Sequence, residues 1–262
     1  MDCLFPSVSL TSLYSGAGGS EGRTSWTAKP ELADYISFYG FMLQFLRELK
    51  SITQRLLSNS DGARDSITED RNIHLILGGY SYGSLIASHV PPLNDMLDLF
   101  PPGASAEMLV DEISKIGRRV AAKSMPDLQT VESGTGPDGP GFSTAIMVSH
   151  LLVSPLLPPI SQLLTAFSTL SMSVRGGGSA PIRPTTRPAD QLCMHRTLAL
   201  FGNKDTFTSV RKLQRWSAEL SSMPHSQFRG CEIEAAGHFW REKGVEKHAR
   251  QALREWLGRD SS

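Results

Sequence analysis

The sequence predicts an α/β fold, a doubly wound, mostly parallel sheet with helices on both faces. Three observations carry that expectation. Short apolar runs alternate with amphipathic stretches of helical period, most regularly in the last third of the chain. The chain is 262 residues long and shows no internal repeat, which fits one large domain carrying an insertion, 1–262. Hydrophobic residues make up 40%, enough for a sizeable core.

Residues 8–14 alternate as a strand does, and Ser15-Gly-Ala-Gly-Gly-Ser-Glu-Gly22 follows as a glycine-rich loop. The loop is not a phosphate cradle. No Gly-Lys-Ser/Thr follows it, and the third glycine of G-x-G-x-x-G falls at Glu21. Residues 30–57 predict a long amphipathic helix, with Leu32, Ile36, Tyr39, Leu43, Leu46, Leu49 and Leu56 on one stripe and Pro30 in its first turn. Residues 58–72 are polar and predict a surface loop.

The central stretch is His74-Leu-Ile-Leu-Gly-Gly-Tyr-Ser-Tyr-Gly-Ser84. Its apolar opening, His74 to Leu77, is short enough for a buried strand. Residues 84–89 then start a helix, which Pro91-Pro92 ends. The middle matches G-x-S-x-G, with Ser81 at the serine position. That motif places its serine on a strained strand-to-helix turn. Its glycines keep Cβ atoms away from crowded backbone, and the helix dipole favours negative charge beside the hydroxyl.

Residues 93–143 read as an insertion between two core units, an expected helical cap. It holds one clear helix, Ala106 to Lys123, and a Gly/Pro-rich tract, 132–141. Residues 144–157 predict another buried strand with its exit. Residues 172–190 are rich in Gly, Pro, Arg and Ser and predict a flexible loop, with Arg175, Arg183 and Arg187 as solvated charges. The last third predicts a strand at 195–201, a helix carrying Val210, Leu213, Trp216 and Leu220, a strand at 228–235, and a final helix carrying Val245, Ala249, Leu253, Trp256 and Leu257.

Composition excludes several partners. Twenty-six basic and 26 acidic residues cancel, so nothing points to nucleic acid or an anionic membrane. Cys3, Cys193 and Cys231 are far apart and odd in number, with neither metal spacing nor a disulfide framework, which fits a reducing compartment. The longest apolar stretch, 145–160, contains His150, Pro155, Pro158 and Pro159, so no membrane span is expected. Asp2 and the lack of a basic leader segment make the N-terminus a poor signal peptide. The expected location is cytoplasmic.

In a doubly wound sheet, chemistry gathers at the carboxyl ends of the strands. Three predicted strand ends carry reactive groups, Ser81, Asp205 and His238. A serine hydroxyl needs a base to become a nucleophile, and an imidazole needs a carboxylate to fix its tautomer. Each residue also has a structural explanation: a serine in a glycine-rich turn, an aspartate capping the next helix, a histidine buried for packing. Position singles out His238. His74 and His195 flank strand starts, His89 and His248 lie on predicted helices, His150 lies inside a strand, and His225 lies in a polar connection.

The chain resembles the α/β-hydrolases, in particular small fungal and bacterial members of serine-esterase or peptidase-like type. The matching pieces are Gly16–Gly22, Gly78–Gly83, Val153-Ser154-Pro155, Phe201-Gly-Asn-Lys-Asp205 and Ala236-Gly-His-Phe239, which with their surroundings span residues 14–257. The resemblance implies the α/β-hydrolase fold. It implies Ser81 as nucleophile, His238 as base and acid, Asp205 as orienting acid, and the backbone N–H of Tyr82 as an oxyanion donor. It also implies a small-molecule acyl substrate and no cofactor. The oligomeric state stays open, as does the choice between ester, thioester and amide, and so do carbon–carbon bond cleavage and acyl transfer on the same three groups.

Two departures from the family pattern stand out. Family members carry further strands ahead of the glycine-rich loop, and Ser15 stands where they usually have Arg. The fold is therefore expected to be N-terminally incomplete, without the loop that normally gives the second oxyanion donor. Loss of one such donor costs roughly 10²–10³ in rate. A non-catalytic α/β-hydrolase-like protein is the alternative expectation.

Overall fold

A computed structural model describes residues 27–59, 73–99, 146–159, 161 and 187–258. The predicted strand at 8–14, the loop 15–22, the helix 106–123, the tract 132–141, and Arg175 and Arg183 lie outside these residues.

Helix α1, Lys29–Asn59, buries the first part of the predicted stripe, Leu32, Ile36, Tyr39 and Leu43, while Leu46 is half-buried and the side chains of Leu49 and Leu56 lie outside the described residues. Strand β1, Ile73–Tyr80, runs into Ser81, and helix α2, Tyr82–Ala87, starts immediately after. Helix α3, Leu93–Leu99, follows Pro91-Pro92. Strand β2, Ile146–Val153, is followed after a gap by helix α4, Pro188–Met194, and strand β3, Arg196–Gly202. Helix α5, Val210–Ser221, strand β4, Phe228–Ile233, and helix α6, Val245–Leu257, complete the order.

The four strands form one sheet in the order β1-β2-β3-β4, with every pairing parallel. Ile73 opposes Ile146, Ser149 opposes Arg196, and Thr197 opposes Phe228. Sequential order means each crossover steps in the same direction, and right-handed crossovers then lie on one face. The packing follows this rule. Along β3, Ala199 joins one apolar cluster while Leu198 and Leu200 join another, as alternating side chains must. The first cluster takes residues from α1, α2, α3, α4 and α5. The second takes Val245, Ala252 and Trp256 of α6, the one described helix on that side. Helices therefore cover both faces, unequally.

Three elements differ from expectation. Helix α3 occupies the start of the predicted cap, yet its Met96 and Leu99 are buried in the same cluster as Leu32 of α1. Its seven residues are too few to display a helical period in sequence. The end of the predicted flexible loop is also ordered, since α4 begins at Pro188, where proline suits a first turn. Gln191 anchors that helix by donating from Nε2 to the Val90 carbonyl. At β4 the ladder stops at Ile233, two residues before the predicted end, and Ala235 adopts φ 61°.

Candidate active site

Ser81 has φ 53° and ψ −117°, a left-handed conformation that costs a non-glycine residue about 1–3 kcal/mol. Three hydrogen bonds hold it there. Its N–H donates to the Val153 carbonyl at 2.8 Å, continuing the β1–β2 ladder past the end of the strand. Its carbonyl accepts from the Ser84 N–H at 3.0 Å and from Ser84 Oγ at 2.6 Å, which ties the turn to the helix that follows. Gly79 permits the turn because a Cβ on it would overlap the Gly83 carbonyl and the Ser84 nitrogen. The motif's spacing thus has a direct cause: the first turn of α2 packs on the bare backbone two residues ahead of the serine.

Asp205 sits in the turn after β3, with its carboxylate fully assigned. Oδ1 accepts from the N–H of Phe207 at 2.7 Å and of Thr208 at 3.1 Å. Oδ2 faces His238 Nδ1 at 2.7 Å. His238 lies on the loop after β4, and its Nε2 stands 2.8 Å from Ser81 Oγ. The three residues predicted from sequence are therefore brought together, in contact order Ser81, His238, Asp205. With the carboxylate on Nδ1, the neutral ring keeps its proton there and offers Nε2 as an acceptor to the serine hydroxyl.

The loops carrying the acid and the base are stapled together. Lys204 N–H donates to the Ala236 carbonyl at 2.9 Å, and Asn203 Oδ1 accepts from Ala235 N–H at 2.9 Å. A Cβ on Gly202 would overlap the Ala236 carbonyl, so only glycine lets these loops approach so closely. The His238 carbonyl accepts two hydroxyls, Tyr80 Oη at 2.9 Å and Ser154 Oγ at 3.2 Å. Ser154 Oγ in turn accepts from Trp240 Nε1 at 2.8 Å. Burial, and then the charge of Asp205, push the Tyr80 hydroxyl above its ordinary pKa while Arg241 opposes them, so Tyr80 stays a donor. Among the described residues six non-glycine residues have positive φ, and four of them (Ser81, Ser154, Ala235 and Trp240) surround this network. Strain of that kind concentrates where a fold over-determines a site.

Tyr82 opens α2, so its N–H belongs to the helix N-terminus beside Ser81, where the predicted oxyanion donor should be. The glycine-rich loop lies outside the described residues. Among the described residues, no group of three or more His, Cys, Asp or Glu side chains is arranged to hold a metal ion, and no helix is long and apolar enough to cross a membrane. A groove of about 280 Å³ runs beside the acid, lined by Leu157, Pro158, Pro159, Phe207, Ser209 and Lys212 among others. Neither Ser81 nor His238 lines it, so it flanks the reactive atoms rather than containing them.

Tyr80, Ser84, Ser154 and Phe239 lie inside the motifs read from the sequence, which gave them no role, and Phe207 lies in none of them. Tyr80 adjoins Ser81 and Phe239 adjoins His238, which was the available signal. Their partners are carbonyls and rings distant in sequence, and these leave no local pattern.

Comparison with models of known protein families and with curated proteins finds no match to this chain.

Proposed function

We propose that this chain is a serine hydrolase of α/β-hydrolase type, cleaving an ester, thioester or amide through an acyl-enzyme. The observation that carries the reading is the unbroken path from Ser81 Oγ through the His238 ring to Asp205 Oδ2, with links of 2.8 and 2.7 Å. These groups stand at the carboxyl ends of β1, β4 and β3, where open parallel sheets hold their ligands.

In this reading His238 Nε2 takes the Ser81 proton as Oγ adds to the substrate carbonyl. Asp205 stabilises the imidazolium that results. The Tyr82 N–H and the amino end of α2 face the developing oxyanion. As the intermediate collapses, the bond to the leaving atom breaks and Nε2 returns the proton to that atom, leaving the acyl group on Ser81. Water, activated by the same nitrogen, releases the acid. The substrate is a small acyl compound and the enzyme works in the cytoplasm.

The test is acyl-enzyme trapping. Mixing with an activated aryl ester should give a burst of one leaving group per chain, and the mass of the quenched protein should rise by one acyl group on the Ser81 peptide. A folded protein that shows neither burst nor adduct would establish instead a non-catalytic member of this fold.

A further inference from the structure

Three aromatic rings surround His238. The ring of Phe207 lies 4.3 Å from the imidazole, centroid to centroid, that of Phe239 5.3 Å and that of Tyr80 5.6 Å. Phe207 and Phe239 also meet edge to face, 5.9 Å apart at 87°. The Arg241 guanidinium sits 5.4 Å over the Phe239 ring, which braces that ring from outside. These rings are not core. Phe239 is 56% exposed, Tyr80 45% and Phe207 43%. Large exposed apolar side chains scattered singly are ordinary, but a cluster of them marks a contact surface. Among the described residues eight large hydrophobic side chains are exposed, and three of them converge on this one imidazole.

The chemistry of the step says which part of a substrate meets them. The atom that receives the proton from Nε2 is the leaving atom, and it must come within about 3 Å of that nitrogen. The acyl carbon, by contrast, is held by Ser81 Oγ and its oxygen by the elbow. The group attached to the leaving atom therefore extends along the His238 side, across rings a few ångströms from the imidazole. Edge-to-face and offset contacts favour a further aromatic ring there over an alkyl chain of equal length.

We infer that the substrate is an ester whose alcohol portion carries an aromatic ring, and that Phe239, Phe207 and Tyr80 form its binding collar. This rests on the acyl-transfer reading of the Ser81 site. In the step, the bond between acyl carbon and ester oxygen breaks, that oxygen takes the proton held by Nε2, and the aromatic alcohol leaves the collar while the acyl group stays on Ser81. The competing explanation is that the rings only shield the His238–Asp205 pair from water.

The experiment measures binding of the alcohols themselves, so it does not depend on turnover. Phenethyl alcohol and 1-hexanol, an alkyl alcohol of similar length, are compared by ligand-observed NMR on the full chain and on Phe239→Ala and Phe239→Leu, alongside fluorophosphonate labelling of Ser81. Phe239 meets the His238 ring at 87° and is more than half exposed, so both variants should fold. The collar predicts that phenethyl alcohol binds about fivefold more tightly than 1-hexanol, and that Phe239→Ala removes most of this preference while Phe239→Leu removes part of it. Equal binding of the two alcohols, or a preference unchanged in Phe239→Ala, overturns the collar even if Ser81 labels fully. An arene preference lost in Phe239→Ala while Ser81 stays unlabelled upholds the collar and counts against the hydrolase reading instead.

Discussion

Asp205 Oδ2 and His238 Nδ1 lie 2.7 Å apart, and both side chains are almost completely sealed from solvent. The other carboxylate oxygen is committed to two backbone N–H groups, so the aspartate cannot turn away from the ring. This arrangement makes a conservative substitution informative. In Asp205→Asn, the Phe207 and Thr208 N–H groups still require an oxygen acceptor, which forces the new amide NH₂ toward Nδ1. The ring must then accept at Nδ1 and carry its proton on Nε2, where it can no longer act as a base toward Ser81. Activity should fall by about 10⁴, the loss known for this substitution in serine proteases, with the fold retained. Steady-state kinetics together with circular dichroism check both halves.

The two hydroxyls on the His238 carbonyl should position the base without touching a substrate carbonyl. Removing one neutral hydrogen bond of this kind is worth about 1 kcal/mol, or roughly a fivefold change. Tyr80→Phe keeps the ring and loses only the donor, so kcat should fall about fivefold with KM nearly unchanged. Ser154→Ala also strands the half-buried Trp240 N–H and should lower the thermal midpoint as well. Comparing the two variants separates alignment of the base from general loosening.

Gly79→Ala should be among the most damaging single substitutions in the elbow. The added methyl would overlap backbone atoms of Gly83 and Ser84, which have no side-chain freedom with which to yield. The expected cost is about 3 kcal/mol, at the upper end for overpacking, accompanied by loss of any Ser81 reactivity. Urea unfolding combined with active-site labelling measures both.

His150 gives a dependence on pH that is independent of catalysis. It is fully buried on β2, and neither ring nitrogen has a hydrogen-bond partner among the described residues. Burial first, and then the nearby His195, lower its pKa from 6.5 to about 3. The folded chain therefore keeps this ring neutral while the unfolded chain protonates it below its ordinary pKa. Stability contributed by His150 is complete above about pH 6.5 and is lost as pH falls toward 3, at about 1.4 kcal/mol per unit. By about pH 5 the loss should reach roughly 2 kcal/mol. Urea midpoints for wild type and His150→Leu across this range provide the check, and the substitution should flatten the slope.

Much of this architecture was legible in the sequence, and the reasons are specific. Ser81, Asp205 and His238 each follow an apolar run and precede or adjoin a turn, so strand ends could be located from periodicity alone. The α1 stripe from Leu32 to Leu43 is long enough to declare its period. Helix α3 was hidden because its seven residues, barely two turns, show no period, and α4 because Pro188 and its polar neighbours resemble the loop before them. The clamp on the His238 carbonyl was not legible either. It joins Tyr80, Ser154 and Trp240 across up to 160 residues, and nothing in the local composition of any of them specifies the other two. Exposed aromatics such as Phe207 and Phe239 belong to no apolar face, so pattern reading passes over them.

The central claim is that Ser81 is a nucleophile activated by His238. Its most direct test is the stoichiometry of a fluorophosphonate adduct, read as intact mass and mapped to the Ser81 peptide. One adduct per chain is expected, none in Ser81→Ala, and labelling slowed by about 10³ or more in His238→Ala. A folded wild-type chain that stays unlabelled, or one whose adduct maps to another residue and persists in Ser81→Ala, would contradict it.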